Sequence, residues 1–197
     1  GARQTCRVIV NDANERIRIL AVGRIESRKG QLHLLKAIRL LERPACLVLA
    51  GNYDSNSLYY KRVLSFIQEN DLCDNVEFKG HLTEAGLSEE YSKANVFVHT
   101  ATMEAFGIVF LEAMSHGLPV VASDETTPEI LGKYSQNIIT YSCMQGSKAN
   151  EIASSVNLLF SSPDIYAEYS QKSIEVYNSR DWSWRRFDKE CLEFISE

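Results

Sequence analysis

The chain has 197 residues, of which 45% are hydrophobic and 24% charged, and a formal net charge of −5. This length suits one domain that buries roughly 70% of its unfolded surface, and the composition excludes a disordered chain. The acidic balance argues against a general nucleic-acid or anionic-membrane binder, and no apolar run reaches the roughly 18 residues that could cross a bilayer.

Apolar runs and helical patterns alternate from residue 17 onward. "IRILAVG" (17–23) predicts a buried strand, and Leu32, Leu35, Ile38 and Leu41 define one face of a helix from Gln31 to Glu42. "CLVLAG" (46–51) is a second strand, followed by a helix over 57–70 with Val63, Leu64 and Ile67 inward. "NVEFKG" (75–80) is a third strand, and Thr83 caps a short helix carrying Leu87 and Tyr91. "NVFVHT" (95–100) is the fourth strand, "LPVVAS" (118–123) the fifth and "NIITY" (137–141) the sixth. Three helical segments follow: one capped by Ser147, one with Pro163 in its first turn, and "DWSWRRFDKECLEFI" (181–195). Strands apolar on both faces and alternating with helices predict an α/β doubly wound, Rossmann-like parallel sheet of six strands. In such sheets ligands bind beyond the C-terminal strand ends, where the strand order reverses.

The five cysteines (Cys6, Cys46, Cys73, Cys143, Cys191) are scattered and form no CxxC pair, so neither zinc nor disulfides are expected. A reducing, cytoplasmic setting follows as an expectation. Cys46 lies in an apolar run and reads as a small hydrophobe.

Two stretches stand out. "VGRIESRKGQ" (22–31) places Arg24, Arg28 and Lys29 at a strand end and before a helix N-terminus. The helix dipole favours anions there, so the cations make sense either around a bound phosphate or as a solvated loop. Neither a Walker loop nor a GxGxxG fingerprint is present. The second stretch is "MEAFGIVFLEAMSHGLPVVAS" (103–123), with Glu104 and Glu112 separated by seven residues. A helix starting near Gly107 offers unpaired N–H groups to an anion, and Glu112 lies roughly 7 Å further along its axis. One carboxylate would then flank each side of a phosphate-sized hole. The plainer alternative makes Glu104 a first-turn dipole partner and Glu112 a solvated helix residue. His33, His81, His99 and His116 have no carboxylate or cysteine at ligand spacing and read as structural, with His116-Gly117 ending a helix.

Together, in this order, the two stretches resemble the family 4 retaining glycosyltransferases, which have the GT-B fold. "VGRIESRKG" is similar to that family's donor-phosphate loop, and "EAFGIVFLEAMSHGLPVVAS" to its Glu, seven residues, Glu signature. "NVEFKGHL", "TTPEIL" (126–131) and the late "WSW" extend the likeness over residues 17–195. The resemblance implies that Gly23, Arg24 and Lys29 meet the diphosphate, helped by backbone N–H groups of Phe106, Gly107 and Ile108. It implies that Glu112 accepts from the ribose, that Lys79 and Gly80 lie in the segment meeting the base, and that Glu104 lies at the sugar end. Arg24, Lys29 and Glu104 are the expected catalytic residues, and no metal is expected. Thr100-Ala101 replaces a frequent Pro-Ser, and Gly51-Asn52-Tyr53 a frequent Gly-x-Gly, departures that bear on loop shape and so on donor preference.

What the resemblance implies is a donor domain for a nucleotide-diphospho-sugar, UDP-linked first, with GDP- or ADP-sugars as alternatives. Residues 1–16 would be the remnant of an interdomain connection, 17–180 the nucleotide-sugar domain and 181–197 a terminal helix. An N-terminal acceptor domain would be absent from the chain, and with it the acceptor, a sugar or lipid-linked molecule at a cytoplasmic or membrane-face location. The isolated chain would bind donor and turn over little. A nucleotide-sugar epimerase of related fold would need catalytic carboxylates and histidines that have no place here. A non-catalytic binding module remains an alternative, and a nicotinamide oxidoreductase lacks its glycine fingerprint.

Overall fold

The computed structural model describes residues 16–102, 104, 107–126, 136–142 and 147–179. All of the expected remnant over 1–16 except Arg16, the backbone of Phe106, most of "TTPEIL" and the helix over 181–195 lie outside the described residues.

Six strands form one parallel sheet in the order β3-β2-β1-β4-β5-β6. They are β1 (Ile17–Val22), β2 (Ala45–Ala50), β3 (Val76–Gly80), β4 (Val96–His99), β5 (Val120–Ser123) and β6 (Ile139–Tyr141). The helices are α1 (Gln31–Ile38), α2 (Leu58–Glu69), α3 (Glu84–Lys93), α4 (Ile108–Ser115), α5 (Lys148–Leu159) and α6 (Pro163–Asn178). The doubly wound sheet expected from the alternation is present.

The two faces follow from the period-two geometry of a strand. Ile19, Leu47, Leu49, Val96, Val98 and Val121 point to one face and join Leu34, Val63 and Ile152 of α1, α2 and α5. Leu20, Val48, Phe97, Val120 and Ala122 point to the other and join Tyr91, Phe110, Met114 and Val176 of α3, α4 and α6. Apolar residues on both faces of the inner strands leave them without a simple hydrophobic-polar alternation, whereas the edge strands β3 and β6 do alternate, with Glu77 and Lys79 in β3 and Thr140 in β6 as the polar positions.

Several boundaries are tighter than the sequence suggests. α1 stops at Ile38 although Leu41 keeps the apolar spacing, because residues 39–40 leave the helix in a turn ahead of Pro44. β5 begins at Val120 and β6 at Ile139, two residues later than predicted in each case. Ser57, Thr83 and Ser162 cap their helices, accepting from Tyr60, Gly86 and Ile165 N–H. Ser147 takes the N-cap position, but its side chain makes no capping bond. Cys46 is only partly buried, and its thiol lies 3.3 Å from Glu77 Oε1.

Strand order reverses between β1 and β4. Their C-terminal ends lead into the two stretches that carry the candidate residues.

Candidate functional site

Local backbone chemistry opens both stretches. Beyond β1 the ladder continues through Gly23 N–H to Ala50 O at 2.8 Å and Ile25 N–H to Asn52 O at 2.9 Å. Gly51 N–H donates to Gly80 O at 2.8 Å, so the loops after β1, β2 and β3 form one backbone-bonded rim. Gly30 has φ 71°, and an added Cβ would lie 2.5 Å from Thr100 O, so the start of α1 is pressed against the end of β4. Thr100 Oγ1 donates to Lys29 O at 2.7 Å, and Thr102 N–H to Arg28 O at 3.0 Å. The two stretches are therefore stitched together across the switch point.

Lys29, Glu104 and His99 converge there. Lys29 Nζ lies 2.6 Å from Glu104 Oε2, and His99 Nε2 lies 3.2 Å from the same oxygen. His99 is 3% exposed, Lys29 13% and Glu104 18%. The His99 contact, followed by Lys29, holds the Glu104 carboxyl down at about 2. Both partners use Oε2, which leaves Oε1 without a partner among the described residues. The Lys29 stem runs past Gly23, where an added Cβ would meet its carbons at 3.4 Å.

This corrects one expectation. His99 does pair with a carboxylate, five residues along a chain that turns at the strand end. Of the three cations, Arg28 pairs with Glu26 at 2.5 Å and Lys29 with Glu104. Arg24 is exposed and has no side-chain partner among the described residues, while its carbonyl accepts from Gln31 Nε2 at 2.9 Å.

The two helix N-termini at the switch point differ. Both begin at a left-handed glycine with no side-chain cap, Gly30 and Gly107. At α1 the Tyr59 hydroxyl already accepts from Leu32 N–H at 3.1 Å. At α4 no acceptor among the described residues meets the N–H groups of Ile108 and Val109. Open N–H groups with the positive end of the dipole behind them form an anion site.

Glu112 lies further along α4 and accepts from Tyr91 Oη at 2.9 Å, a partner that sequence spacing does not reveal. Lys79 is turned away from this group. Its ammonium pairs with Glu77 at 2.9 Å and Glu90 at 3.5 Å, beside Arg18, whose guanidinium also bridges the two carboxylates. Gly80, with φ 62°, contributes its carbonyl to the rim. Glu104, Lys29 and Gly23 are thus brought together, Gly107 and Ile108 open the adjoining helix, and Glu112 stands apart on its second turn. Among the described residues there is no cluster of His, Cys, Asp and Glu that could hold a metal, and no helix is long and apolar enough to cross a membrane.

Residues 3–179 match the family model described as glycosyl transferases group 1. The chain is 28% identical over 193 residues to a probable sucrose-phosphate synthase 4 of Oryza sativa subsp. japonica, covering 90% of the chain and 17% of that relative. Its fold superposes with TM-score 0.78 on Anabaena HepE, solved in complex with UDP and glucose, at 21% identity over 93% of this chain and 49% of that one. It superposes with TM-score 0.70 on the C-terminal domain of a glycosyl transferase group 1 family protein, LpcC of Francisella tularensis. That match has 20% identity and covers 83% of this chain and 85% of the other. The chain therefore spans less than half the length of the first two and most of an isolated domain of the third. It belongs to the glycosyl transferases group 1 family, and its sheet is one Rossmann-like half of the GT-B fold.

Proposed function

We propose that the chain is the C-terminal, donor-binding half of a retaining hexosyltransferase that uses a UDP-sugar. The observation that carries this reading is the pairing of Lys29 with Glu104 beside the open N-terminus of α4. An ammonium has three N–H donors, so Lys29 can keep Glu104 while it meets a phosphate oxygen. The N–H groups of Gly107 and Ile108, with Phe106 before them, would complete the anion hole, and Gly23 leaves room for close approach. Exposed Arg24 supplies a second cation. Preorganised charge of this kind stabilises a departing diphosphate as it develops, by several kcal/mol in comparable sites. With two cations in place, the leaving group does not require a divalent metal.

Glu104 would stand at the sugar end, with Oε1 left for a hydroxyl of the transferred hexose. Glu112 would accept from the ribose, and the backbone near Lys79 and Gly80 would meet the base. The acceptor, a sugar or a lipid-linked molecule, would be held by the other GT-B half, so the chain alone would bind donor and transfer little. The UDP-bound Anabaena relative and the sucrose-phosphate synthase likeness support the donor class.

The test is turnover of UDP-glucose by the full-length protein, with the anomeric configuration of the product read by NMR. Retention, abolished in Glu104→Gln, is expected. Inversion, or undiminished turnover in that variant, contradicts the reading.

A further inference from the structure

Glu104 and Glu112 are held in opposite ways. Glu104 faces a cation, whereas Glu112 faces the neutral hydroxyl of Tyr91 on α3, 21 positions away in sequence. Among the described residues, Glu112 Oε1 has no hydrogen-bond partner.

Tyr91 is built to hold that oxygen. It is 1% exposed, and its ring stacks on His116 with centroids 5.3 Å apart and planes at 24°. Phe97 packs at 6.0 Å, also against that ring. His116 is itself fixed, with Nε2 2.9 Å from Ser88 Oγ and Nδ1 2.8 Å from Glu112 O. The hydroxyl also lies 3.4 Å from Val109 O, a longer contact than the 2.9 Å to Glu112 Oε2. Burial first, and then the Glu112 charge, push the Tyr91 hydroxyl far above its ordinary range, so it stays protonated and donates.

A lysine or arginine in this place would neutralise the carboxylate and compete for it. A tyrosine hydroxyl restrains one oxygen and leaves the negative charge available to another donor. Two adjacent ribose hydroxyls are donors of the right kind for such a carboxylate, because hydrogen bonds to an ionised acceptor are the strong ones.

We propose that Tyr91 is a positioning residue for ribose recognition: its hydroxyl fixes Oε2 of Glu112 and so presents Oε1 to the ribose hydroxyls of the donor. This rests on the reading of Glu112 as the ribose acceptor and adds what aims it.

The experiment compares binding of UDP and of dideoxy-UDP, which lacks both ribose hydroxyls, to the 197-residue chain by calorimetry. The parent should prefer UDP by about tenfold or more. Tyr91→Phe keeps the ring and its stack. It should bring the preference close to unity by weakening UDP alone, with dideoxy-UDP affinity unchanged. Equal weakening of both nucleotides, or full retention of the preference, would overturn the proposal. If Glu112→Gln removes the preference and Tyr91→Phe does not, only the role of Tyr91 fails. A parent that shows no preference, or binds neither nucleotide, removes the reading of Glu112 and this proposal with it. Ser88→Ala loosens His116 without touching the hydroxyl, and should lower the preference part way. If Tyr91→Phe fails to fold, an unaltered preference in Ser88→Ala counts against the proposal.

Discussion

Lys29 and Glu104 meet at 2.6 Å although 75 positions separate them, because β1 and β4 lie side by side where the sheet reverses. This ion pair ties the two loops to each other and leaves the second carboxylate oxygen without a partner among the described residues. Breaking it strands a mostly buried charge. Lys29→Met should cost about 2 kcal/mol in urea unfolding, less than a fully buried pair and more than an exposed one. The double variant with Glu104→Gln should recover part of that loss, and strict additivity would show that the two residues do not interact.

Acid should weaken the fold through the same carboxylate. Glu104 is held from 4.5 down to about 2 by His99 and then Lys29, so its folded form binds protons less readily than its unfolded form. Its contribution is therefore complete above pH 4.5 and is lost as pH falls toward 2. Arg18 and Lys79 hold Glu77 well below the carboxylate range as well, with the same sign. Unfolding free energy followed across that window should fall less steeply in Glu104→Gln than in the parent. Parallel slopes would show that the pair does not persist in solution.

Gly51 and Gly80 should differ in how far they tolerate an added side chain. A Cβ on Gly51, at φ 148°, would lie 2.2 Å from Gly23 O, so the rim must open to admit it. Gly51→Ala should cost about 2–4 kcal/mol and weaken any ligand held by Gly23 and Arg24. Gly80, at φ 62°, has nothing within 4 Å of a Cβ. Gly80→Asn, with a residue that tolerates the left-handed region, should cost less than about 1 kcal/mol. Denaturant midpoints of the two variants check both.

Arg18 offers a contrast between stability and site. It lies 2.9 Å from Glu77 and 2.8 Å from Glu90, and Glu90 is 8% exposed. Arg18→Met leaves Glu90 with Lys79 alone at 3.5 Å, which should cost about 3 kcal/mol. Nucleotide affinity of the folded fraction should not change. A parallel loss of affinity would place this network within the ligand site.

The sheet was legible because most strands are short apolar runs ending at a glycine or a polar loop, and helical spacing fills the gaps. The positions of Glu104 and Gly107 after β4 followed from that order alone. Partnerships were not legible. His99 reaches Glu104 only because the chain turns after β4, and Tyr91 reaches Glu112 only because α3 and α4 pack on the same face. Arg18 sits inside an apolar run, and nothing in that run announces the carboxylates of β3 and α3 that it meets. Such contacts depend on register and packing across the sheet, which residue spacing along one element does not encode. The end of α1 is hidden in the sequence for a related reason. Leu41 keeps the helical spacing, yet the chain has already left the helix to enter β2.

The most direct test is calorimetric titration of the chain with UDP, GDP and ADP, repeated on Glu112→Ala and Arg24→Ala. UDP is expected to bind with a dissociation constant of about 1 mM or tighter, near −4 kcal/mol, and both variants to lose it. A folded sample that binds no nucleotide at millimolar concentration, or variants that bind as tightly as the parent, would contradict the donor-site reading.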